Sequence, residues 1–545
     1  MPRSARPLAM ASAVAAVLVV TGCTAPSPAT PTPVGLPAAI KKIMDKPAYA
    51  NGNWSMLAVD LTTGAAVAEQ SADKLAFTGS TRKLFSVGLA LDTLGADHTT
   101  TTGVYRDGTV DTSGVLHGDL VFVGAGDLTL GGRRTADGGI AYTPFDHNDA
   151  NNLGTGILTP QDPLTALNDL AKQVKASGIT KIDGDVAVDD RLFTPYRVPN
   201  QQLLITPTML NENMVDVTIT PTQPGQPATI DYRPKTPAFA VTGTVMTTPA
   251  GTDATVAIPE GKTPNGSSVK GVVNCVGTPS CTGTLSGTIP VDYKAPLSGD
   301  HQFVGTFRMD DPESFARSAF VQSLQQTGVT VAAPAVEANP TADLPASSHY
   351  AASKRVASYI SPQYADQAKL ILKVSLNLGA NLALTQYGLT KGQKTIKGAL
   401  AAERRALIHD GIPGTSFDFP TNGSGSPDSK ATPRAIVDML RYMSKTPVAD
   451  PYRQALPLLG VDGSLAETGR DLAAKGHVYG KTGTTVTDGA LVAQNLAGYV
   501  DARNGHRIAY AIILNNYGAI KSIDDVAAVM QDEAAITNVL YEMKG

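Results

Sequence analysis

The pattern of the sequence changes twice along the chain, and these changes constrain the fold more than any other feature. Residues 53–98 predict a β-hairpin followed by a buried helix that ends at Gly95. Residues 99–345 consist of short β-branched runs, such as LVFVGAG and MVDVTITP, that are broken by Gly, Pro and Asn. Helical spacing then returns in YADQAKLILKVSLNLGANLAL. We therefore expect one α/β domain, built from residues 38–98 and 346–545, interrupted by a β-rich insert with two subdomains at 99–345.

The C-terminal part of the chain predicts the rest of this α/β domain. Three segments have the apolar content of strands, with a hairpin between the last two: 476–485, 490–500 and 507–515. A closing helix begins near Ser522, and its apolar residues share one face: Val526, Val529, Ile536 and Leu540. Together with the N-terminal hairpin, these segments predict an antiparallel sheet flanked by helices.

The N-terminal 23 residues predict an export signal. Arg3 and Arg6 precede an apolar run at 8–20, which is shorter than the ~20 residues of a membrane-spanning helix. The sequence VTGC at 20–23 resembles a bacterial lipobox, in which Cys23 is lipidated and becomes the new N-terminus; the alternative is an ordinary signal peptide. The proline-rich residues 24–37 favour an extended tether. We expect an exported protein, periplasmic or on the outer face of the cytoplasmic membrane, with a lipid anchor.

Charge, histidine and cysteine content exclude several classes of protein. The chain has 44 basic and 48 acidic residues without a block of like charge, so we expect no nucleic-acid partner. Three cysteines cannot form a four-thiolate zinc site, and no histidines have HExxH spacing, so we expect no metal or cofactor. Cys275 and Cys281 lie close together and predict a disulfide in an exported chain, although two buried thiols are the alternative.

A Ser-x-x-Lys pattern at Ser80 and Lys83 supplies a candidate nucleophile and its base. Residues three apart share a helix face, so the amine can take the hydroxyl proton if burial or a nearby cation lowers its pKa. The pattern also begins at Ser71 and Ser267, but in a predicted turn and in a loop rich in Gly and Asn. Ser80 instead precedes an apolar helix that holds both groups rigidly. When Ser80 is considered alone, a structural N-cap explains it as well as a nucleophile does.

Two further patterns are weak when each is considered alone. One segment can bind a carboxylate through an ammonium and two hydroxyls, with a glycine that admits a ligand backbone: Lys481, Thr482, Gly483 and Thr484. The other pattern, Ser375 and Asn377, can relay a proton and hold a substrate amide. For the first segment, the alternative is an exposed lysine before a turn. For the second pattern, it is a chance pairing of a serine and an asparagine.

In this order, on an exported chain, the three patterns resemble the penicillin-recognising serine acyltransferases. About 300 residues separate the first pattern from the second, and about 100 separate the second from the third. This spacing resembles the D-alanyl-D-alanine carboxypeptidase/endopeptidase family of the penicillin-binding protein 4 type, peptidase family S13. Segments such as GDVAVDDRLF, LNENMVDVTITP and NGSGSPDSKATP are similar to further parts of it. The resemblance implies a transpeptidase-like, serine β-lactamase-like domain split by β-rich domains.

The resemblance also implies a role for each residue of the motifs. Ser80 is then the nucleophile and Lys83 its base. Ser375 serves in proton transfer to the leaving group, Asn377 binds the penultimate amide of the substrate, and Lys481 supplies positive potential.

Substrate binding follows from the same resemblance. Thr482 and Thr484, on either side of Gly483, bind the terminal carboxylate, and the backbone N–H groups of Ser80 and Thr484 form the oxyanion hole. The implied substrates are peptidoglycan stem peptides ending in D-Ala-D-Ala, and peptide crosslinks, with β-lactam antibiotics as covalent inhibitors. One departure is Leu376, where the family commonly has Asp.

Two alternative functions stay open at this point. A β-lactamase or esterase of related fold usually has a much shorter insert than this chain. An inactive wall-binding lipoprotein is suggested by Leu376, but the intact motif residues argue against it. Residues 132–159, which are rich in Gly, Asp and Asn, match nothing in the resemblance.

Overall fold

The computed structural model describes residues 34–346 and 349–543. The predicted signal at 1–23, the predicted lipidation site Cys23 and most of the predicted tether at 24–37 lie outside these residues. Within the described ranges, no helix has both the length and the apolar character needed to cross a bilayer.

A five-stranded antiparallel sheet forms the centre of the first domain, and its strands come from both ends of the chain. In spatial order, they are Ala66–Gln70, Asn53–Asp60, Arg507–Ala519, Ala490–Asp501 and Val478–Thr487. The hairpin and the three C-terminal strands predicted from the sequence are therefore neighbours in one sheet. Val478–Thr487, which carries the third motif, is an edge strand.

Helices cover both faces of this sheet because its strands bury alternate side chains on opposite sides. Leu57 and Val59 belong to one hydrophobic cluster, whereas Met56 and Ala58 belong to another. The helices on the first side are Lys83–Leu94, Tyr364–Lys373, Asn377–Thr390, Ile396–His409, Pro433–Met443 and Ala449–Ala455. The helices on the second side are Ala38–Met44 and Ile523–Tyr541. The predicted α/β class, with an antiparallel sheet between helices, is confirmed.

The insert is built on two larger sheets. One has the strand order Thr330–Val331, Lys181–Ile182, Val115–Val123, Thr101–Val110 and Arg355–Ile360, and Val186–Asp189 also pairs with Val115–Val123. The other has the order Thr229–Arg233, Met214–Thr220, Phe303–Met309 and Val272–Val273. One hydrophobic cluster includes side chains from both sheets, such as Phe122 and Phe307. The division into two subdomains stays a prediction.

Short strand pairs complete the β structure. Those within the insert are Ala240–Gly243 with Thr282–Leu285, Met246–Thr248 with Thr288–Pro290, Glu260–Lys262 with Ser268–Lys270, and Tyr196–Arg197 with Leu204–Ile205. A small three-stranded sheet next to the turn Gly79–Arg82 consists of Phe417–Asp418, Lys430–Ala431 and Ala76–Phe77.

Two features of the insert add to what its sequence pattern indicated, and a third was expected. It contains the helices Ala150–Leu153, Thr165–Ala176 and Pro312–Gln326 among its strands. Its first sheet includes Arg355–Ile360, which pairs with Thr101–Val110 and lies beyond the expected boundary at residue 345. Cys275 and Cys281 are joined by the disulfide expected from the sequence.

Candidate active site

Ser80 and Lys83 lie at the start of the first long helix. A 3-10 turn, Gly79–Arg82, leads directly into the helix Lys83–Leu94, so the two side chains point to the same side. Lys83 Nζ is 2.6 Å from Ser80 Oγ. Lys83 is fully buried, and Ser80 is partly exposed. In the two other matches to the pattern, the lysines Lys74 and Lys270 are exposed.

A buried ion pair fixes the turn Gly79–Arg82 against a neighbouring helix. Arg82 donates two hydrogen bonds to the carboxylate of Glu403, and both side chains are buried. The Arg82 guanidinium also stacks on the ring of Phe419, 3.9 Å from its centroid. Arg82 lies between Ser80 and Lys83 in the sequence, so these contacts restrict the positions of both residues.

The second motif occupies a break between two helices. The helix Tyr364–Lys373 ends, Ser375 takes a left-handed conformation with φ 61°, and the helix Asn377–Thr390 begins. This turn directs both polar side chains at the same amine: Lys83 Nζ is 2.7 Å from Asn377 Oδ1 and 3.3 Å from Ser375 Oγ. Leu376 between them is buried in the hydrophobic cluster of the domain. An apolar residue at position 376 therefore leaves Ser375 and Asn377 in contact with Lys83.

The third motif closes the site from the edge strand. Lys481 Nζ donates to Ser375 Oγ at 2.8 Å and is fully buried. A Cβ atom on Gly483 would lie 2.5 Å from the carbonyl oxygen of Thr78, so only glycine lets the strand pack this closely on the segment that carries Ser80. Thr482 Oγ1 lies 2.9 Å from Ser464 Oγ, and Thr484 Oγ1 donates to Gln494 at 2.6 Å. The structure thus brings all three motifs together.

Burial changes the protonation of both lysines. Removal from water lowers the pKa of Lys83 to about 7, so a substantial fraction of its amine is neutral near neutral pH. Burial and the neighbouring charge of Lys83 hold the pKa of Lys481 well below its usual range. Two amines that share Ser375 as a partner cannot both be charged without repulsion. The site can therefore hold an unprotonated lysine base.

One charged residue near the lysines was not expected from the sequence. Asp149 ends the 3-10 turn His147–Asp149 of the insert, within residues 132–159, a stretch for which the sequence suggested no counterpart in the resemblance. Its charge raises the pKa of both Lys83 and Lys481, in opposition to burial. Gln201 Nε2 donates to its carboxylate at 3.1 Å. The insert thus contributes an acidic group to the surroundings of the two buried lysines.

A buried ionic cluster holds the turn that carries Asp149. Asp146, His147 and Glu212 place possible metal-ligand atoms within 4.8 Å of one another. However, Arg133 Nη2 already lies 2.7 Å from Asp146 and 2.6 Å from Glu212. His147 Nδ1 is 2.5 Å from Asp216, and the surrounding carboxylates raise the pKa of His147 to about 10. A guanidinium and a histidinium therefore supply the positive charge that these carboxylates need.

Comparisons with known proteins agree with this geometry. Residues 36–536 match the model of the D-Ala-D-Ala carboxypeptidase 3 (S13) family. A D-alanyl-D-alanine carboxypeptidase from Actinomadura sp. (strain R39) is 26% identical over 521 residues, which cover 91% of this chain and 84% of the relative.

Solved structures show the same fold. Penicillin-binding protein 4 from Haemophilus influenzae matches with a TM-score of 0.66 and 19% identity, over 92% of this chain and 99% of that chain. The same protein complexed with a β-lactam matches with a TM-score of 0.62, 19% identity and the same coverage. Because the family model spans most of the sequence, the chain belongs to the D-Ala-D-Ala carboxypeptidase 3 (S13) family and is a serine-type D-Ala-D-Ala peptidase.

Proposed function

We propose that Ser80 is the nucleophile of this peptidase and forms an acyl-enzyme with the penultimate D-Ala of a peptidoglycan stem peptide. The observation that carries this proposal is the contact of 2.6 Å between Ser80 Oγ and a buried lysine amine. The terminal D-Ala leaves in the first step, and water hydrolyses the ester in the second. Peptide crosslinks offer the same D-Ala carbonyl, so endopeptidase cleavage is part of the proposal.

The contacts of Lys83 orient its lone pair for this role. A neutral amine has two N–H groups and one lone pair. Two carbonyl oxygens, Asn377 Oδ1 at 2.7 Å and the backbone oxygen of Ser424 at 3.3 Å, are suited to accept those two N–H groups. The lone pair is then available to the hydroxyl of Ser80, which donates its proton to Lys83 as the oxygen attacks.

Ser375 and Lys481 serve the departure of the leaving amine. Because Ser375 Oγ lies within hydrogen-bond distance of both Lys83 and Lys481, it can pass a proton from Lys83 to the amine. The oxyanion is stabilised by the backbone N–H groups of Ser80 and Thr484. The tight packing of Gly483 on the segment that carries Ser80 brings these two N–H groups into the same region.

Recognition of the terminal carboxylate is proposed for Thr482 and Thr484. Charge-assisted hydrogen bonds contribute about 1.5 to 3 kcal/mol, or roughly one to two orders of magnitude in kcat/KM. Peptides ending in D-Ala-D-Ala with a free carboxylate should therefore be cleaved about 10- to 100-fold faster than their C-terminal amides. Steady-state assay of matched acid and amide peptides measures this ratio.

The double variant Thr482→Val, Thr484→Val should reduce the acid-to-amide ratio towards one, since it removes both hydroxyls. Thr487→Val, an exposed position at the end of the same strand, is the matched control and should keep the wild-type ratio. Equal rates on the two peptides with the wild-type enzyme would show that the carboxylate is not recognised and would favour an esterase-like activity.

Membrane anchoring through Cys23 is the proposal for location. The family acts on peptidoglycan, which agrees with an export signal, and the lipobox-like sequence at 20–23 supports lipidation. The mature protein should fractionate with membranes and begin at a lipid-modified Cys23, and Cys23→Ala should block the modification. Mass spectrometry of the mature N-terminus checks this. An unlipidated N-terminus downstream of Cys23 would contradict it.

By the same reasoning, β-lactams are proposed as covalent inhibitors. They carry a carboxylate next to a reactive amide, and a structural relative was solved with a β-lactam. Ser80 should open the lactam ring and keep the acyl group as an ester.

A further inference from the structure

A chain of buried hydrogen bonds connects Thr484 to a glutamate on the far side of the sheet. Thr484 Oγ1 donates to Gln494 Oε1 at 2.6 Å, and Gln494 Nε2 donates to Glu533 Oε2 at 3.0 Å. Gln494 and Glu533 are 0% and 1% exposed. Glu533 lies on the helix Ile523–Tyr541, among the apolar residues that face the sheet. A polar chain in such an apolar setting costs free energy unless each of its groups is satisfied.

Glu533 has the surroundings of a neutral carboxylic acid. Within the part of the chain that the structure describes, no cation forms an ion pair with it, and its Oε1 atom has no hydrogen-bond partner. The titratable groups that face it are Asp532, Tyr49 and Tyr510. Asp532 is already paired with Lys46 and Tyr49. Burial and the charge of Asp532 raise the pKa of Glu533 well above its usual range.

The direction of the hydrogen bonds matters for substrate binding. In the free enzyme, the hydroxyl hydrogen of Thr484 points at Gln494, so it is not available to a ligand. Once Thr484 donates to a substrate carboxylate, the Gln494 oxygen loses its donor. Each group in this hydrogen-bond chain has a partner again if the Gln494 amide rotates by about 180°, donates to Thr484 Oγ1 and accepts a hydrogen bond from Glu533. Only a protonated Glu533 can donate that bond, because a carboxylate is solely an acceptor.

We propose that Gln494 and neutral Glu533 are positioning residues that allow the Thr484 hydroxyl to turn from the protein to the substrate carboxylate. This rests on the proposed role of Thr484. Glu533 accepts a hydrogen bond from Gln494 in the free enzyme and must donate one to Gln494 when substrate is bound. Glutamine at position 533 has both capacities, whereas leucine has neither.

The acid-to-amide ratio of kcat/KM tests this proposal with three variants of one helix. Glu533→Gln should keep the wild-type ratio to within about twofold, whereas Glu533→Leu should lower the ratio about tenfold, mainly by raising KM for the acid. Thr537→Val removes another buried polar group of the same helix that has no link to Gln494, and it should keep the ratio. Circular dichroism and thermal unfolding show whether each variant is folded.

A pH profile provides a second measurement that does not depend on the folding of Glu533→Leu. In the wild type, the acid-to-amide ratio should fall at alkaline pH as Glu533 ionises. An ionised Glu533 can only accept, so the hydrogen bonds keep the direction that they have in the free enzyme. This fall should be absent in Glu533→Gln. Lys83 and Lys481 titrate in both enzymes, so only the part of the fall that the wild type shows and Glu533→Gln does not is assigned to Glu533.

The outcomes separate this proposal from the one on which it rests. A wild-type ratio near one would contradict carboxylate recognition by Thr484, and the positioning role with it. A high wild-type ratio that Glu533→Leu leaves unchanged, or that Glu533→Gln lowers as much as Glu533→Leu, would overturn the positioning role alone.

Discussion

Replacing Lys83 with Met should slow acylation by penicillin and cleavage of D-Ala-D-Ala peptides by about 10²- to 10⁴-fold, the range expected for loss of a general base. Methionine has a similar length and suits a fully buried position, so the fold should persist. The amine that lies 2.6 Å from Ser80 Oγ is lost, and the hydroxyl alone is a poor nucleophile at neutral pH. Stopped-flow acylation and steady-state peptide assays measure the effect.

The sequence itself offers controls for this experiment. Lys74→Met and Lys270→Met alter the lysines of the two other Ser-x-x-Lys matches, both of which are exposed. They should leave the acylation rate unchanged. A Lys83→Met enzyme that is acylated at the wild-type rate would show that Lys83 is not the base.

The wild-type enzyme should show a matching pH dependence. The base must be neutral, and the pKa of Lys83 lies at about 7, so the acylation rate should rise with pH through this value and level off above it. A rate that falls as pH rises from 6 to 8 would contradict a lysine base.

Replacing Lys481 with Met is expected to have the second largest effect, a loss of about 10²- to 10³-fold in kcat/KM, typical of removing one electrostatic donor from an active site. Its amine donates to Ser375 Oγ at 2.8 Å, so its removal leaves the proton relay without a fixed orientation. The loss should appear mostly in kcat, since the relay serves a chemical step.

Lys475→Met is the matched control, because Lys475 is exposed and precedes the same strand. It should retain wild-type kinetics. Ser375→Ala should resemble Lys481→Met, and the double variant should be little worse than either single one, because the two residues act as a unit. Additive losses would show that Lys481 works independently of Ser375.

Local patterns were sufficient to predict the antiparallel sheet with its flanking helices and the contact between Ser80 and Lys83. Ser80 and Lys83 are three residues apart at the start of an apolar helix, so their contact follows from helix geometry. The approach of Ser375 and Lys481 to that pair is a long-range contact with no local signal. Only the resemblance to the family implies this approach, and the distances in the structure agree with that implication.

Other parts of the molecule depend on contacts that a local pattern does not encode. The pairing of Arg355–Ile360 with Thr101–Val110 joins strands that are far apart in sequence, so the insert's sheet extends past the expected boundary. The turn that carries Asp149 is held by buried charges from separate segments, including Arg133 and Glu212. The segments that carry these charged groups are polar, as in an exposed loop. Their burial follows only from the packing of the folded chain, so the local sequence does not indicate it.

Glu533 differs from these cases because a signal for it was present in the sequence. The predicted apolar face of the closing helix contains Val529 and Ile536, and Glu533 falls between them at helical spacing. A glutamate on such a face indicates a buried carboxyl group that needs a partner. Gln494, within an apolar strand, is the partner that the structure supplies.

The most direct test of the central claim is to identify the residue that penicillin modifies. The purified protein is labelled with a penicillin, digested and analysed by tandem mass spectrometry. The adduct should lie on Ser80, and the Ser80→Ala variant should not be labelled, while Ser71→Ala and Ser267→Ala label normally. An adduct on any other residue, or labelling that survives Ser80→Ala, would contradict the account.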